Sequence, residues 1–345
     1  MSAVTAPSDE ASPVLVEIVR GDTVESFHRG AVAVADAAGG IARSLGDVHR
    51  LVFARSALKP IQALPLIETG AADGFGLGAA ELALACASHR GEPFHVAAVA
   101  AVLARIGLGE ADLECGAHPP RHEPSYRALL RAGDAPSQLH NNCSGKHAGF
   151  LATAVWRREP TRFYIEPDHP VQQRVTRTIG EMTGLDLARA PRGRDGCGIP
   201  VIAVPLGALA AAMARLADPA RLGEHRRAAA RRLLDAMAAA PLMVDGTGGM
   251  TSAVLTAAPA SVRLKPGAEG VFCAALPALG LGVALKIDDG GGRAAELAMA
   301  TVLDRLGCFA PEQRAALAPF LMPPLHTVAG REAGRLRPAP ALRSF

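Results

Sequence analysis

Two periodicities divide this chain, and their order limits the folds open to it. Short period-two runs, Val14 to Val19, Thr23 to His28 and Ala31 to Val34, open the sequence, separated by Arg20-Gly21-Asp22 and Arg29-Gly30. Such runs between glycine turns predict an antiparallel meander. From Ser56 to about Ala239 the texture becomes alanine- and leucine-rich at helical spacing, as in Phe94 to Ile106, Pro170 to Thr183 and Pro219 to Ala239. Strand-like segments return at Ser252 to Thr256, Val262 to Lys265, Val271 to Leu276 and Leu281 to Ile287, before a helical pattern over Ala294 to Leu306. The order predicts an α/β fold in which one antiparallel sheet, built from both chain ends, receives an inserted helical region.

The expected organisation is a flexible N-terminus over 1–12, a sheet region with flanking helices over 13–60 and 240–337, a mainly helical region over 61–239, and a loose tail over 338–345. Asp288 to Gly292 reads as a tight turn before the last long helix, whose start Asp or Gly would cap. The uncharged run Gly198 to Ala214 contains Pro200 and Pro205 and is shorter than a membrane span, so a buried loop and helix is expected there.

Length and an apolar content of 49% suffice for a sizeable core. The formal charge of +3 and thirteen scattered aromatics offer neither a basic stripe nor stacking platforms, which argues against nucleic acid. Residues 1–12 lack the basic start and apolar stretch of a secretory signal, so a cytoplasmic protein without membrane association is expected. Six widely spaced cysteines are expected as free thiols or metal ligands in a reducing compartment.

Lysine occurs four times against 32 arginines. Arginine serves at most solvated positions but does not give up its proton, so a site that needs a neutral amine must keep lysine. Three of the four, Lys59, Lys146 and Lys265, lie in small-residue motifs. Ser56-Ala57-Leu58-Lys59 sets a hydroxyl and an amine three residues apart, on one face if the segment is helical. A neutral lysine there can take the proton of a serine nucleophile. Pro60 restricts the backbone of Lys59, so a single helical turn followed by a kink is the competing expectation.

Ser88 follows in Ala85-Cys86-Ala87-Ser88-His89-Arg90-Gly91, then Lys265-Pro266-Gly267 on a late strand. Serine β-lactamases and penicillin-binding proteins carry the same order: Ser-x-x-Lys, a serine on a loop of the helical domain, and Lys-x-Gly on a sheet strand. Read singly, Ser88 also suits a helix cap and Lys265 an exposed turn. A lysine base working near neutral pH needs its pKa lowered by roughly 3 units from about 10.4, or about 4 kcal/mol against the charged form. Burial and a neighbouring cation can supply that. A further cluster, His140 to His147 with Arg194 to Gly198, offers thiolate, imidazole and carboxylate groups. Its spacing leaves both zinc binding and buried structural cysteines open.

The segments Ala54 to Pro60, Ala85 to Pro93, His140 to Gly149, Tyr164 to Gln172, Gly193 to Pro200 and Lys265 to Gly270 together resemble the rhizobial-type L-asparaginase family. HNNCSGKHAGF and GRDGCGIP are its most specific stretches, and the likeness runs in order from about residue 13 to 336. The resemblance implies a fold like the serine β-lactamases and glutaminases, and a homodimer. It implies two serine-lysine tandems, Ser56 with Lys59 and Ser88 with Lys265, with Ser56 as nucleophile. It further implies one zinc ion per chain on Cys143, Lys146 and Cys197, orienting substrate, and substrate contacts from Arg55, His147 and Asp195. Thr327 stands where an asparagine is expected before the Gly330 to Gly334 spacing.

The implied activity is hydrolysis of L-asparagine to L-aspartate and ammonia through a serine acyl-enzyme. A glutaminase or other serine amidase of the same fold is the first alternative, because one methylene changes discrimination by only about 1 to 3 kcal/mol. A zinc-dependent asparagine-binding protein without turnover is the second.

Overall fold

The computed structural model describes residues 8–345. Residues 1–7 of the expected flexible N-terminus lie outside the described residues. In the remainder, Ser12 is buried and its hydroxyl donates to the Asp288 carboxylate.

In chain order the strands are β1 (Val14–Arg20), β2 (Thr23–Asp36), β3 (Ile41–Leu45), β4 (Leu51–Phe53), β5 (Arg192–Arg194), β6 (Pro200–Pro205), β7 (Arg263–Pro266), β8 (Val271–Leu276), β9 (Leu281–Ile287), β10 (Pro324–His326) and β11 (Glu332–Pro338). Eight of them form one sheet in the order β10-β11-β1-β2-β9-β8-β7, with β3 pairing on β2. The pairings β1 with β11 and β2 with β9 are antiparallel, so the N-terminal strands β1 and β2 lie side by side in the middle of the sheet, flanked on both sides by C-terminal strands. This is the architecture the periodicities predict.

The chain divides into two compact units. The sheet unit takes the chain up to Ala57, Val204–Asp218 and Ala260–Phe345, and the helical unit takes Leu58–Ala203 and Pro219–Pro259. In the sheet unit every residue of β8 is buried, so both of its faces are covered. The helices Leu206–Ala217 and Gly292–Arg305 both pack against β8 and β9. Each fully buried Val or Leu there contributes roughly 1.5–3 kcal/mol.

In the helical unit the helix Ser144–Arg157 is buried from Ser144 to Ala154. A helix buried on all sides is a core element, and the helices Pro93–Arg105 and Ala79–Ala85 pack against it. That buried stretch carries the small-residue motif around Lys146. Among the described residues no helix is long and apolar enough to cross a membrane.

Several local expectations change. Arg29-Gly30 does not interrupt the second strand, because Gly30 pairs with Ile287 within one β2–β9 ladder. Ser252 to Thr256, expected as a strand, belongs to the helix Met250–Ala257. Its buried Met250 and Thr251 recur four residues on as Val254 and Leu255, a helical spacing that a five-residue window cannot display. Pro200 and Pro205 bound β6 and do not mark a loop, since proline is tolerated at strand ends. The expected loose tail carries a short helix, Pro340–Arg343, with Leu342 fully buried.

Candidate active site

The chain leaves β4 and enters a 3-10 turn, Arg55–Leu58, which continues directly into the helix Lys59–Gln62. Pro60 occupies the first turn of that helix, where a missing N–H leaves no bond unmade, so the proline starts the helix and does not kink it. Arg55, immediately before Ser56, has φ +50°, a left-handed conformation that costs a non-glycine residue about 1–3 kcal/mol. Such strain is kept where a side chain must be aimed. Ser56 is half-buried.

Within the sheet unit, Lys265 lies on β7 with 1% exposure, so it is not an exposed turn lysine. Its amine donates to the Pro266 carbonyl at 2.9 Å. Beyond it, a Cβ on Gly267 would lie 2.6 Å from the Ala54 carbonyl oxygen. Only glycine lets the Lys265 to Gly267 turn press against the segment that carries Arg55 and Ser56.

The helical unit holds the other half of the motif. Lys59 is fully buried, and its amine meets the Ala87 carbonyl, Ser88 Oγ at 3.1 Å and the Asn142 carbonyl at 3.2 Å. The amine donates to all three; on losing one proton it keeps two N–H bonds for the carbonyls and gains a lone pair that faces the Ser88 hydroxyl. Burial, chiefly, lowers the Lys59 pKa from its ordinary 10.5. Ser88, which the resemblance pairs with Lys265, also has its hydroxyl within bonding distance of the Lys59 amine. The Ser88 loop is fixed from behind by His89, whose Nε2 lies 2.9 Å from Ser144 Oγ and whose Nδ1 accepts from the Gly91 N–H.

Cys143 caps the start of the helix Ser144–Arg157, which puts Lys146 and His147 on its first turn. A Cβ on Gly145 would lie 2.4 Å from the Leu84 carbonyl oxygen, so glycine is what brings this turn against the helix Ala79–Ala85. Asn141 holds the approach, accepting from the Cys143 N–H and donating to the carbonyls of Cys115 and Gly116. Cys197 comes from the turn between β5 and β6, which is closed by hydrogen bonds between Asp195 and Ile199 and between Gly198 and Asp195.

These elements bring Cys143, Lys146 and Cys197 together. All three are buried, and the Lys146 amine lies 3.2 Å from Cys197 Sγ. The hydrogen bond from Cys143, aided by Lys146 against the cost of burial, pulls the Cys197 thiol down to about 5. That same bond to Cys197, with burial, pushes Cys143 up to about 11. Burial opposes a charge on Lys146, but Cys143, Cys197 and Asp195 outweigh it and raise its pKa. The directions of these shifts favour a thiol on Cys143, a thiolate on Cys197 and an ammonium on Lys146.

Two sulfurs and a nitrogen converging on one buried point are a donor set that suits zinc and leaves a fourth position open. Binding would release the protons of Cys143 and Lys146, as metal binding requires. Among the described residues no group of three or more His, Cys, Asp or Glu side chains could hold a metal. The lysine is therefore what completes this donor set.

His147 is fully buried, with Nδ1 2.8 Å from the Tyr164 hydroxyl, whereas Nε2 has no hydrogen-bond partner among the described residues. Burial, followed by the charge of Lys146, holds its pKa well below the ordinary 6.5. Asp195 is half-buried in the β5–β6 turn, and one of its carboxylate oxygens accepts from the Gly196 N–H at 2.7 Å. Sequence reasoning gave no role to His89, Asn141 or Tyr164. All three lie within segments that carry the resemblance, but their roles depend on partners distant in sequence.

No curated protein matches the chain. Among solved structures, a β-lactamase from Mycobacterium bovis aligns over 84% of this chain and 94% of that one, at 16% identity and a TM-score of 0.38. A superposition this loose bears on neither fold nor function. The family model of L-asparaginase II, in contrast, matches residues 16–338, a span that contains every site residue described above. The chain belongs to the rhizobial-type L-asparaginase family.

Proposed function

We infer from family membership that the chain acts as an asparaginase-type amidohydrolase. We propose that the protein hydrolyses L-asparagine to L-aspartate and ammonia with Ser56 as nucleophile and Lys59 as its base. The observation that carries this reading is the fully buried Lys59 amine, bonded to Ser88 Oγ and to two carbonyls, with its pKa lowered by burial. It matches what a proton-accepting lysine needs.

Ser56 Oγ attacks the side-chain amide carbon while its proton passes to the Lys59 amine. The oxyanion is held by backbone N–H groups, that of Ser56 among them, and losing such a donor costs about 100-fold or more in rate. The protonated amine delivers a proton to the leaving nitrogen and ammonia departs. Water, activated by the same lysine and Ser88, releases aspartate and restores Ser56. Lys265, buried on β7 beside the Ser56 segment, is the second lysine of the proposed chemistry. Arg55, His147 and Asp195 orient the amino-acid end of the substrate.

Cys143, Lys146 and Cys197 would hold one zinc ion, which when bound supplies a fixed positive charge for orienting a carboxylate or carbonyl oxygen. Free, buried thiols fit a reducing cytoplasmic setting, and a second copy of the chain is the expected partner.

The test is ammonia release by the purified protein from asparagine, with glutamine in parallel. Wild type should act on asparagine, and Ser56→Ala should lose at least about 1,000-fold. Equal rates in the two proteins would remove Ser56 from the mechanism. Asparagine binding by calorimetry without ammonia would favour a binding protein instead.

A further inference from the structure

Tyr164 is fully buried, and both its carbonyl and its hydroxyl are engaged. Its carbonyl accepts from Gln172 Nε2 at 2.9 Å, and its hydroxyl oxygen accepts the Glu114 N–H at 2.9 Å. The phenol has one proton to give, and His147 Nδ1 lies 2.8 Å away. If the imidazole donated to the phenol oxygen instead, the buried phenolic proton would be left without an acceptor. Buried polar groups are hydrogen-bonded in the great majority of cases, so the proton runs from Tyr164 to His147.

The consequence lies on the far side of the ring. With Nδ1 occupied as an acceptor, the ring proton of His147 resides on Nε2, and that buried atom has no hydrogen-bond partner among the described residues. We propose that Tyr164 is a positioning residue, which fixes His147 as an Nε2–H donor reserved for an oxygen of the bound amino-acid substrate. This rests on the amidohydrolase reading only in naming the acceptor's owner. In the opposite tautomer Nε2 would present a lone pair to the same oxygen and repel it. A protonated Nε2 also cannot ligate a metal, which separates the role of His147 from those of Cys143, Lys146 and Cys197.

The tautomer can be read without substrate. In the full-length protein labelled with 15N-histidine, long-range proton–nitrogen correlation near neutral pH should show a pyrrole-like Nε2 and a pyridine-like Nδ1 for His147, assigned by the signal's loss in His147→Asn. A proton on Nδ1 in the wild type overturns the proposal, whatever the enzyme turns over. Tyr164→Phe should convert the signal to a tautomer mixture and raise KM for asparagine about tenfold with kcat within about threefold, the pattern of lost uniform binding. An unchanged KM, or a loss confined to kcat, contradicts it.

His147→Gln guards against a merely structural effect, since its side-chain amide presents an N–H near the Nε2 position independently of Tyr164. In that background Tyr164→Phe should add less than about twofold to KM. A full tenfold increase there would show that Tyr164 acts other than through the tautomer. Absence of turnover in the wild type would instead count against the amidohydrolase reading and leave the tautomer result standing.

Discussion

In the helical unit two lysine amines are removed from solvent to nearly the same degree, Lys59 at 0% and Lys146 at 2% exposure, and meet different neighbours. Around Lys59 the close partners are two backbone carbonyls and a serine hydroxyl, and the upward pull of Cys143 and Cys197, opposed by Lys146, is smaller than the cost of burial. Desolvation then dominates and the pKa falls. Around Lys146 are two cysteines and Asp195, and their attraction for the ammonium exceeds the desolvation cost. Burial alone therefore does not decide whether a lysine is a base. The neighbours do, and in this chain they fit one amine for taking a proton and the other for an ion pair that a metal can replace.

Replacing each lysine by methionine should separate the two environments most sharply. Lys59→Met should cost about 1,000-fold in ammonia release, within the usual range for a lost general base. Its melting temperature should hold or rise, because methionine fills the space without burying an amine. Lys146→Met should instead destabilise by about 3 kcal/mol, since it strands the Cys197 thiolate without its cation. Denaturant unfolding of the two variants checks this. Equal losses of stability would break the contrast.

The thiols give the next test. Protein purified without chelator should carry about one zinc per chain by elemental analysis, and Cys197→Ser should lose it while Lys59→Met retains it. Only trace zinc in the wild type would remove the metal from the account.

A smaller effect is expected in the sheet unit. Gly267→Ala would place a methyl group 2.6 Å from the Ala54 carbonyl oxygen. Relieving that contact must move the segment leading to Ser56, at a cost of about 1–3 kcal/mol and with a loss of activity. Unchanged unfolding and kinetics would show that the turn does not support the nucleophile.

Lys286 should matter least. It is half-buried on β9 and donates to the carbonyls of Glu269 and Ile287, neither of which takes part in the proposed chemistry. Lys286→Met should lose about 1 kcal/mol of stability and leave kcat/KM within about twofold. A large kinetic effect would show that burial marks function in this chain more broadly than the neighbours do.

Much of this was legible in the sequence where a signal repeats. The apolar, β-branched-rich runs of β1, β8 and β9 and the helical spacing of Pro170–Thr183 each extend over enough residues to be recognised. The helix Met250–Ala257 and strand β6 are short, and in each case the true period is indistinguishable from its competitor over a few residues. For the site, the rarity of lysine pointed to Lys59, Lys146 and Lys265, all of which prove buried, because arginine cannot replace a neutral amine. What sequence could not give was pairing. Lys59 reaches Ser88 across 29 residues and Lys146 reaches Cys197 across 51. Tyr164 had no visible role until His147 stood beside it. The fourth lysine, Lys286, is tied to backbone carbonyls through contacts equally invisible in the sequence.

The central claim is that Lys59 works by losing a proton, and Lys59→Arg tests it most directly. Arginine keeps the positive charge and the hydrogen-bond donors but does not become a base near neutral pH. Ammonia release from asparagine by this variant should fall to the level of Ser56→Ala, with the fold intact by circular dichroism. Activity within about tenfold of wild type would mean that Lys59 acts through its charge, and would contradict the account.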